Sequence, residues 1–261
     1  MLPPSAGFTH LSAAELCGWW LPAPIPHPVF AAVGEHDACP RRRGLLVSRH
    51  PSRPETFPFR GLRVTSGAET LLAAARDLGI LDLVVMGDSA LRKRHCTIDD
   101  LTAVAAQRRR GARRLRTVIG LLDERSESPW ESLLRVLHRV ADIPVEPQYK
   151  IYDRGKFVAR ADLWIVGSRR LHEYDGGIHR ERDVHRRDLA RDRRLVETGW
   201  DRMGFIASDV LSAAAIISSA DALLGRPDDP RRLARWQGLV ADSLFGSAGR
   251  ARVRRHWART H

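Results

Sequence analysis

The sequence predicts an α/β fold, a small mixed sheet between helices, preceded by a mostly helical region. Three observations predict it. From residue 129 the chain reads helix, strand, strand, strand, helix, strand, helix. Within that run, residues 157–166 and 171–175 are strand-like, joined by the polar turn Gly167-Ser168-Arg169-Arg170 and stopped by Gly176-Gly177, which is the pattern of a hairpin. Before residue 123 the clearest signals are instead helix starts with good caps.

Taken in order, residues 5–21 read as a short helix with Thr9 or Ser12 as its cap and Glu15 three residues after Ser12, the spacing of a capping box. Residues 22–63 are rich in proline and arginine, with β-like pieces at 28–33 and 44–48. Ser66 caps a helix over 68–78, a further helix covers 80–94, and Thr97 caps a third that runs into the arginine cluster at 108–116. A polar break at 123–128 ends this region. Ser128, Pro129 and Glu131 then stand at the N-cap, first and third positions of a helix. Its Leu133, Leu134, Leu137 and Val140 recur at core spacing. A strand at 145–152 leads into the hairpin. Residues 181–198 form a charged amphipathic helix ended by Gly199, followed by a strand at 203–207 and a helix at 210–224. Residues 231–245 are helical, and the basic end at 250–256 reads as a mobile tail. The expected organisation is a mostly helical region at 1–125, the α/β domain at 126–224 and a basic helical tail at 225–261.

Composition narrows the function. Lys and Arg number 43 against 31 Asp and Glu, a net charge of +12, and nearly all the positive charge is arginine. Such a surface suits a phosphate polyanion, although an arginine-rich genome composition gives the same bias. Cys17, Cys39 and Cys96 are odd in number and far apart, which excludes a disulfide framework and a cysteine zinc site. No apolar run is long enough to span a membrane. The N-terminus lacks the pattern of a signal peptide, so a cytoplasmic location without membrane contact is expected. Six arginines fall within residues 108–116. Arg108, Arg109, Arg110, Arg113 and Arg114 are candidate phosphate contacts, or else a solvated helix face.

The hairpin concentrates the chemistry. It brings Asp162 close to Glu173 and Asp175, and the last two project from one face of their strand. Converging carboxylates repel one another and are costly to bury unpaired. A hard divalent cation with oxygen ligands, such as Mg²⁺, is the simplest compensation. Arg170, Arg180 and Arg182 flank these carboxylates as candidate phosphate contacts.

Ser128-Pro129-Trp130-Glu131-Ser132, Ala161-Asp162-Leu163, Glu173-Tyr174-Asp175-Gly176 and His179, with Asp188, Asp192 and Gly199-Trp200 downstream, carry a resemblance. Residues 126–212 resemble the very-short-patch-repair-like endonuclease domain of the PD-(D/E)XK superfamily. Thr9 to Ala14, Val64-Thr65-Ser66 and Gly87 to Leu91 make the first region similar to the antitoxin component of abortive-infection systems, which precedes such a domain in many actinobacterial proteins. Its winged-helix segment is cut short here. The resemblance implies a restriction-endonuclease-like mixed sheet and Mg²⁺- or Mn²⁺-dependent hydrolysis of double-stranded DNA. It assigns Asp162, Glu173 and Asp175 to the metal, Glu131 to completing or orienting the metal shell, and His179 to acid, base or phosphate contact. Glu131 also suits a plain capping role. A toxin–antitoxin-type protein partner is implied as well.

Two departures from the family pattern stand out. Asp175 replaces the motif lysine. Gly204 stands where relatives carry an arginine, and Arg202 reads as facing the wrong way to replace it. The alternative function is therefore a DNA-binding regulator or antitoxin-like protein whose nuclease fold does not cut.

Overall fold

The computed structural model describes residues 2–51, 54–176 and 191–259. The chain forms two compact units, one of residues 1–124 and 239–261 and the other of residues 125–238.

The first unit is mixed α/β, which corrects the expectation of a mostly helical region. Its five-stranded sheet runs β3 (Leu45–His50), β2 (Val29–Gly34), β1 (Gly7–Phe8), β5 (Leu62–Thr65), β4 (Thr56–Phe59). β2 pairs antiparallel with β1 and parallel with β3. β4 carries Pro58 and lies at the sheet edge, where a missing N–H is tolerated. The helices are α1 (His10–Leu16), α2 (Gly67–Ala74), α3 (Ile80–Arg92), α4 (Ile98–Ala105) and α5 (Ala112–Ile119). Ser66 Oγ accepts the Glu69 N–H, and Thr97 with Asp100 forms a full capping box. Leu71, Leu72, Leu81, Leu83, Met86, Leu101 and Leu115 fill the core.

The C-terminal segment belongs to this unit and is not a loose tail. Helix α11 (Ser247–Arg259) buries Val253 and Trp257. Asp82, at the start of α3, accepts the backbone N–H groups of Gly79 and Leu244 at 2.9 and 2.8 Å.

The second unit opens with α6 (Pro129–Val140), where the Glu131 N–H bonds Ser128 Oγ at 3.2 Å. A four-stranded sheet follows in the order β6 (Val145–Asp153), β7 (Lys156–Ile165), β8 (Arg170–Tyr174), β9 (Asp201–Phe205). The first three strands are antiparallel neighbours, and β9 runs parallel to β8. The parallel step needs a crossover, and residues 191–197 within it are helical (α7). Ile151, Ala159, Ala161, Leu171 and Leu195 form one apolar cluster, with Trp164 and Trp200 packed on it. The helix expected at 210–224 is two helices, α8 (Ala207–Ser212) and α9 (Ala214–Leu223), broken by Ala213 at φ +63°. Most of α10 (Pro230–Ala241) completes the unit, with Trp236 Nε1 donating to the Val210 carbonyl at 2.9 Å. No helix among the described residues is long and apolar enough to cross a membrane.

Candidate functional site

Leu163 pairs with His172 and Trp164 with Leu171, so Asp162 stands opposite Glu173. Glu173 in turn lies beside Gly204 of β9. Alternation along the strands places Asp162, Glu173, Arg202 and Gly204 on one sheet face. Asp175 follows directly after β8. The hairpin register thus brings the expected carboxylates together.

Glu173 is 5% exposed, and a carboxylate there needs a partner. Two guanidinium groups supply it. Arg191, in α7, donates Nη1 to Glu173 Oε2 at 3.1 Å and Nη2 to Oε1. Arg202 donates Nε to Glu173 Oε2 at 2.6 Å and Nη2 to Asp175 Oδ1. Burial disfavours the Arg202 charge, but the Glu173 hydrogen bond and the charges of Glu173 and Asp175 outweigh it and raise its pKa. Arg202 therefore does reach the carboxylates, contrary to the sequence expectation. Positions 202 and 204 are two apart on one strand and share a face. The glycine matters too, because the Asp175 carboxylate fills the space that a side chain at 204 would need.

Among the described residues, Asp162 has no such partner. Its Oδ2 accepts the Tyr174 N–H at 2.9 Å. Burial, then the charges of Glu131 and Glu173, push its pKa up to about 7. Glu131 is raised as well, chiefly by burial, although its Oε2 accepts from the Glu127 N–H at 2.8 Å and Gln148 Nε2 at 3.1 Å. Asp162 and Glu131 are hard oxygen donors whose suppressed ionisation a cation would reverse. The oxygens of Glu173 are already spent on two arginines. Among the described residues, no three His, Cys, Asp or Glu side chains form a group that could hold a metal.

On the other face, His172 of β8 meets His138 of α6, with His138 Nε2 and His172 Nδ1 2.8 Å apart. His138 Nδ1 lies 2.7 Å from the Leu134 carbonyl. Burial drives His138 down to about 4; burial and then the His138 and Arg170 charges drive His172 to about 2. Both rings are neutral, and this pair was not singled out from the sequence.

The basic candidates divide. Arg109 is held by Glu69, with Nη1–Oε1 2.5 Å and Nη2–Oε2 2.6 Å. Arg114 donates to the Leu78 carbonyl at 2.7 Å. Arg170 is tied to Asp201 at 2.6 Å and to Ser219 at 3.1 Å. These three are structural, whereas Arg108, Arg110 and Arg113 stand exposed. His179, Arg180, Arg182 and Asp188 lie outside the described residues. Arg191 was hidden in a run of arginines that gave no reason to prefer it. Comparison with protein-family models, with curated proteins and with solved structures finds no match for the chain.

Proposed function

We propose that the second unit is a divalent-metal-dependent DNA endonuclease of the PD-(D/E)XK type, built on a restriction-endonuclease-like sheet. The observation that carries this reading is the row of Asp162 opposite Glu173, with Asp162 beside Glu131 and, among the described residues, no arginine hydrogen-bonded to it. The order helix, three antiparallel strands, helix, parallel strand supports it. In this reading Asp162 and Glu131 hold Mg²⁺ or Mn²⁺, joined by Glu173 when an arginine lets go. A metal held there would polarise a phosphoryl oxygen and lower the pKa of the attacking water. Arg191 and Arg202 hold Glu173 in place, and an arginine freed from it is a natural phosphate clamp.

A second reading rests on those same ion pairs. With Glu173 and Asp175 neutralised by Arg191 and Arg202, the row is a structural lattice of charges, and the protein is a DNA-binding regulator or antitoxin-like protein that does not cut. Supercoiled-plasmid cleavage with Mg²⁺ or Mn²⁺ separates the two. Nicking by the wild type that Asp162→Ala and Glu173→Ala abolish, with the variants still folded, supports the nuclease. Salt-dependent DNA binding without cleavage in either metal supports the regulator.

A further inference from the structure

The first unit contains a broad cavity of about 1360 Å³. It lies between the 39–43 loop, β3, the residues after α2 and the end of α11. Its charge is one-sided. Arg41, Arg42, Arg43, Arg49, Arg76 and Arg110 line it, and none of the six makes a side-chain hydrogen bond or ion pair with another described residue. Arg76 is the telling one. It is half-buried, and its Nε is shut off from solvent with no hydrogen-bond partner. A buried donor left unpaired is costly. Burial, then the nearby charge of Arg109, lowers the pKa of Arg76, and Arg110 adds to the effect.

The acids answer this charge only in part: Asp77 and Glu69 favour the charged form of Arg76, but its pKa is still lowered. Asp77 is the one carboxylate among the described lining residues. It turns instead to His256 Nε2 at 3.2 Å, His10 Nε2 at 3.4 Å and Trp257 Nε1, which donates at 3.0 Å. Glu69 is occupied by Arg109, which also reaches His50 Nδ1 at 3.1 Å. Burial, then Arg76 and Arg109, keep the His50 ring neutral. The fold therefore anchors Arg109 and leaves the six arginines around it without a hydrogen-bonded acid among the described residues.

We infer that this cavity is a binding site for consecutive phosphate groups, supplied by a nucleoside polyphosphate or by a single strand of nucleic acid. Five of the six arginines are exposed and Arg76 is half-buried, and guanidinium groups gathered around one concavity favour a ligand whose negative charges follow one another at short range. Arginine forks match phosphate oxygens in pairs. The cavity exceeds the roughly 300–1,000 Å³ of ordinary small-ligand sites, which leaves room for a nucleoside as well as its phosphates. A concave site of this kind admits a nucleotide or a strand but not the convex wall of a duplex. The site is separate from the carboxylate row and does not depend on the reading given to it.

Titration calorimetry of the full chain with ATP, with a 5′-phosphorylated tetradeoxynucleotide, with duplex DNA and with poly-glutamate tests the assignment. ATP, the single strand or both should bind, with affinity falling as salt rises. Arg76→Ala and Arg110→Ala should each weaken binding about tenfold, the scale of one lost charge-assisted contact. Arg235→Ala, exposed in the second unit and outside the lining, should leave it unchanged. Arg42→Ala, on an exposed loop, should weaken binding and keeps the test decisive if the Arg76 variant does not fold. Binding of ATP alone assigns the site to a free nucleotide, and binding of the oligonucleotide alone assigns it to a strand. The inference is overturned if neither binds, if poly-glutamate or duplex binds as tightly, or if Arg235→Ala weakens binding as much as Arg110→Ala does.

Discussion

The Asp175 carboxylate occupies the space beside Gly204 that any side chain at 204 would fill. That vacancy lets Asp175 fold back over β9 and meet Arg202. Gly204→Ala should push the carboxylate aside and cost about 1 kcal/mol, the low end for overfilling a packed site. The loss should shrink in an Asp175→Ala background, because the clash and the ion pair are then already gone. Urea unfolding of the two single variants and the double variant measures this coupling. Strictly additive losses would count against the arrangement.

Arg202→Ala should be more damaging than Gly204→Ala. It removes a hydrogen-bonded cation from Glu173, which is 5% exposed. Breaking a buried pair typically costs about 3–5 kcal/mol, but Arg191 remains on the other side of Glu173, so about 2 kcal/mol is expected. Arg202→Lys should recover part of this, since a single ammonium cannot span two carboxylates as the planar fork does. Equal stability of the alanine and lysine variants would show that the fork geometry is unimportant.

Much of the second unit is legible in the sequence because its signals are local. Ser128 and Pro129 announce α6, the Gly167-Ser168 turn announces the hairpin, and the two-residue spacing of Glu173 and Asp175 announces a shared face. The first unit is harder to read. β1 is two residues long, and β4 contains a proline that is acceptable only because the strand lies at an edge, a fact of tertiary structure. Ala213 in the left-handed region carries no mark in its side chain. Arg191 could not be told from its many arginine neighbours until the crossover laid it against Glu173. The carboxylates were visible, but the cations that neutralise them were not.

Asp82→Ala tests how the C-terminal segment is held. Asp82 is fully buried and satisfies two backbone N–H groups, one in its own helix start and one at Leu244. Truncation leaves both donors unpaired, at about 1–3 kcal/mol each. A loss of about 3 kcal/mol is therefore expected in urea unfolding, together with faster proteolysis after residue 239. Asp82→Asn should be milder, because its carbonyl oxygen still accepts one of the two bonds. Unchanged proteolysis in the alanine variant would show that the segment is held by other contacts.

The response to acid should reveal Asp162 by subtraction. His138 and His172 are neutral in the fold, with pKa values about 4 and about 2, below the ordinary histidine value of 6.5. Below that value the unfolded chain takes up protons that the native rings refuse, so their contribution to stability is lost as pH falls. Asp162 acts in the opposite sense. Its native pKa of about 7 lies above the ordinary aspartate value of 3.8, so between these values the native state holds a proton that the unfolded chain releases. Acidification in that window therefore stabilises the fold through Asp162 while it destabilises the fold through the histidines. Asp162→Asn removes the opposing proton alone. Between about pH 4.5 and 6, its stability should fall more steeply with acid than that of the wild type, by about 1.4 kcal/mol per pH unit. Urea unfolding of both proteins at several pH values gives the two slopes. Parallel slopes would mean that Asp162 is already ionised at neutral pH, and the case for a proton-holding carboxylate awaiting a cation would be lost.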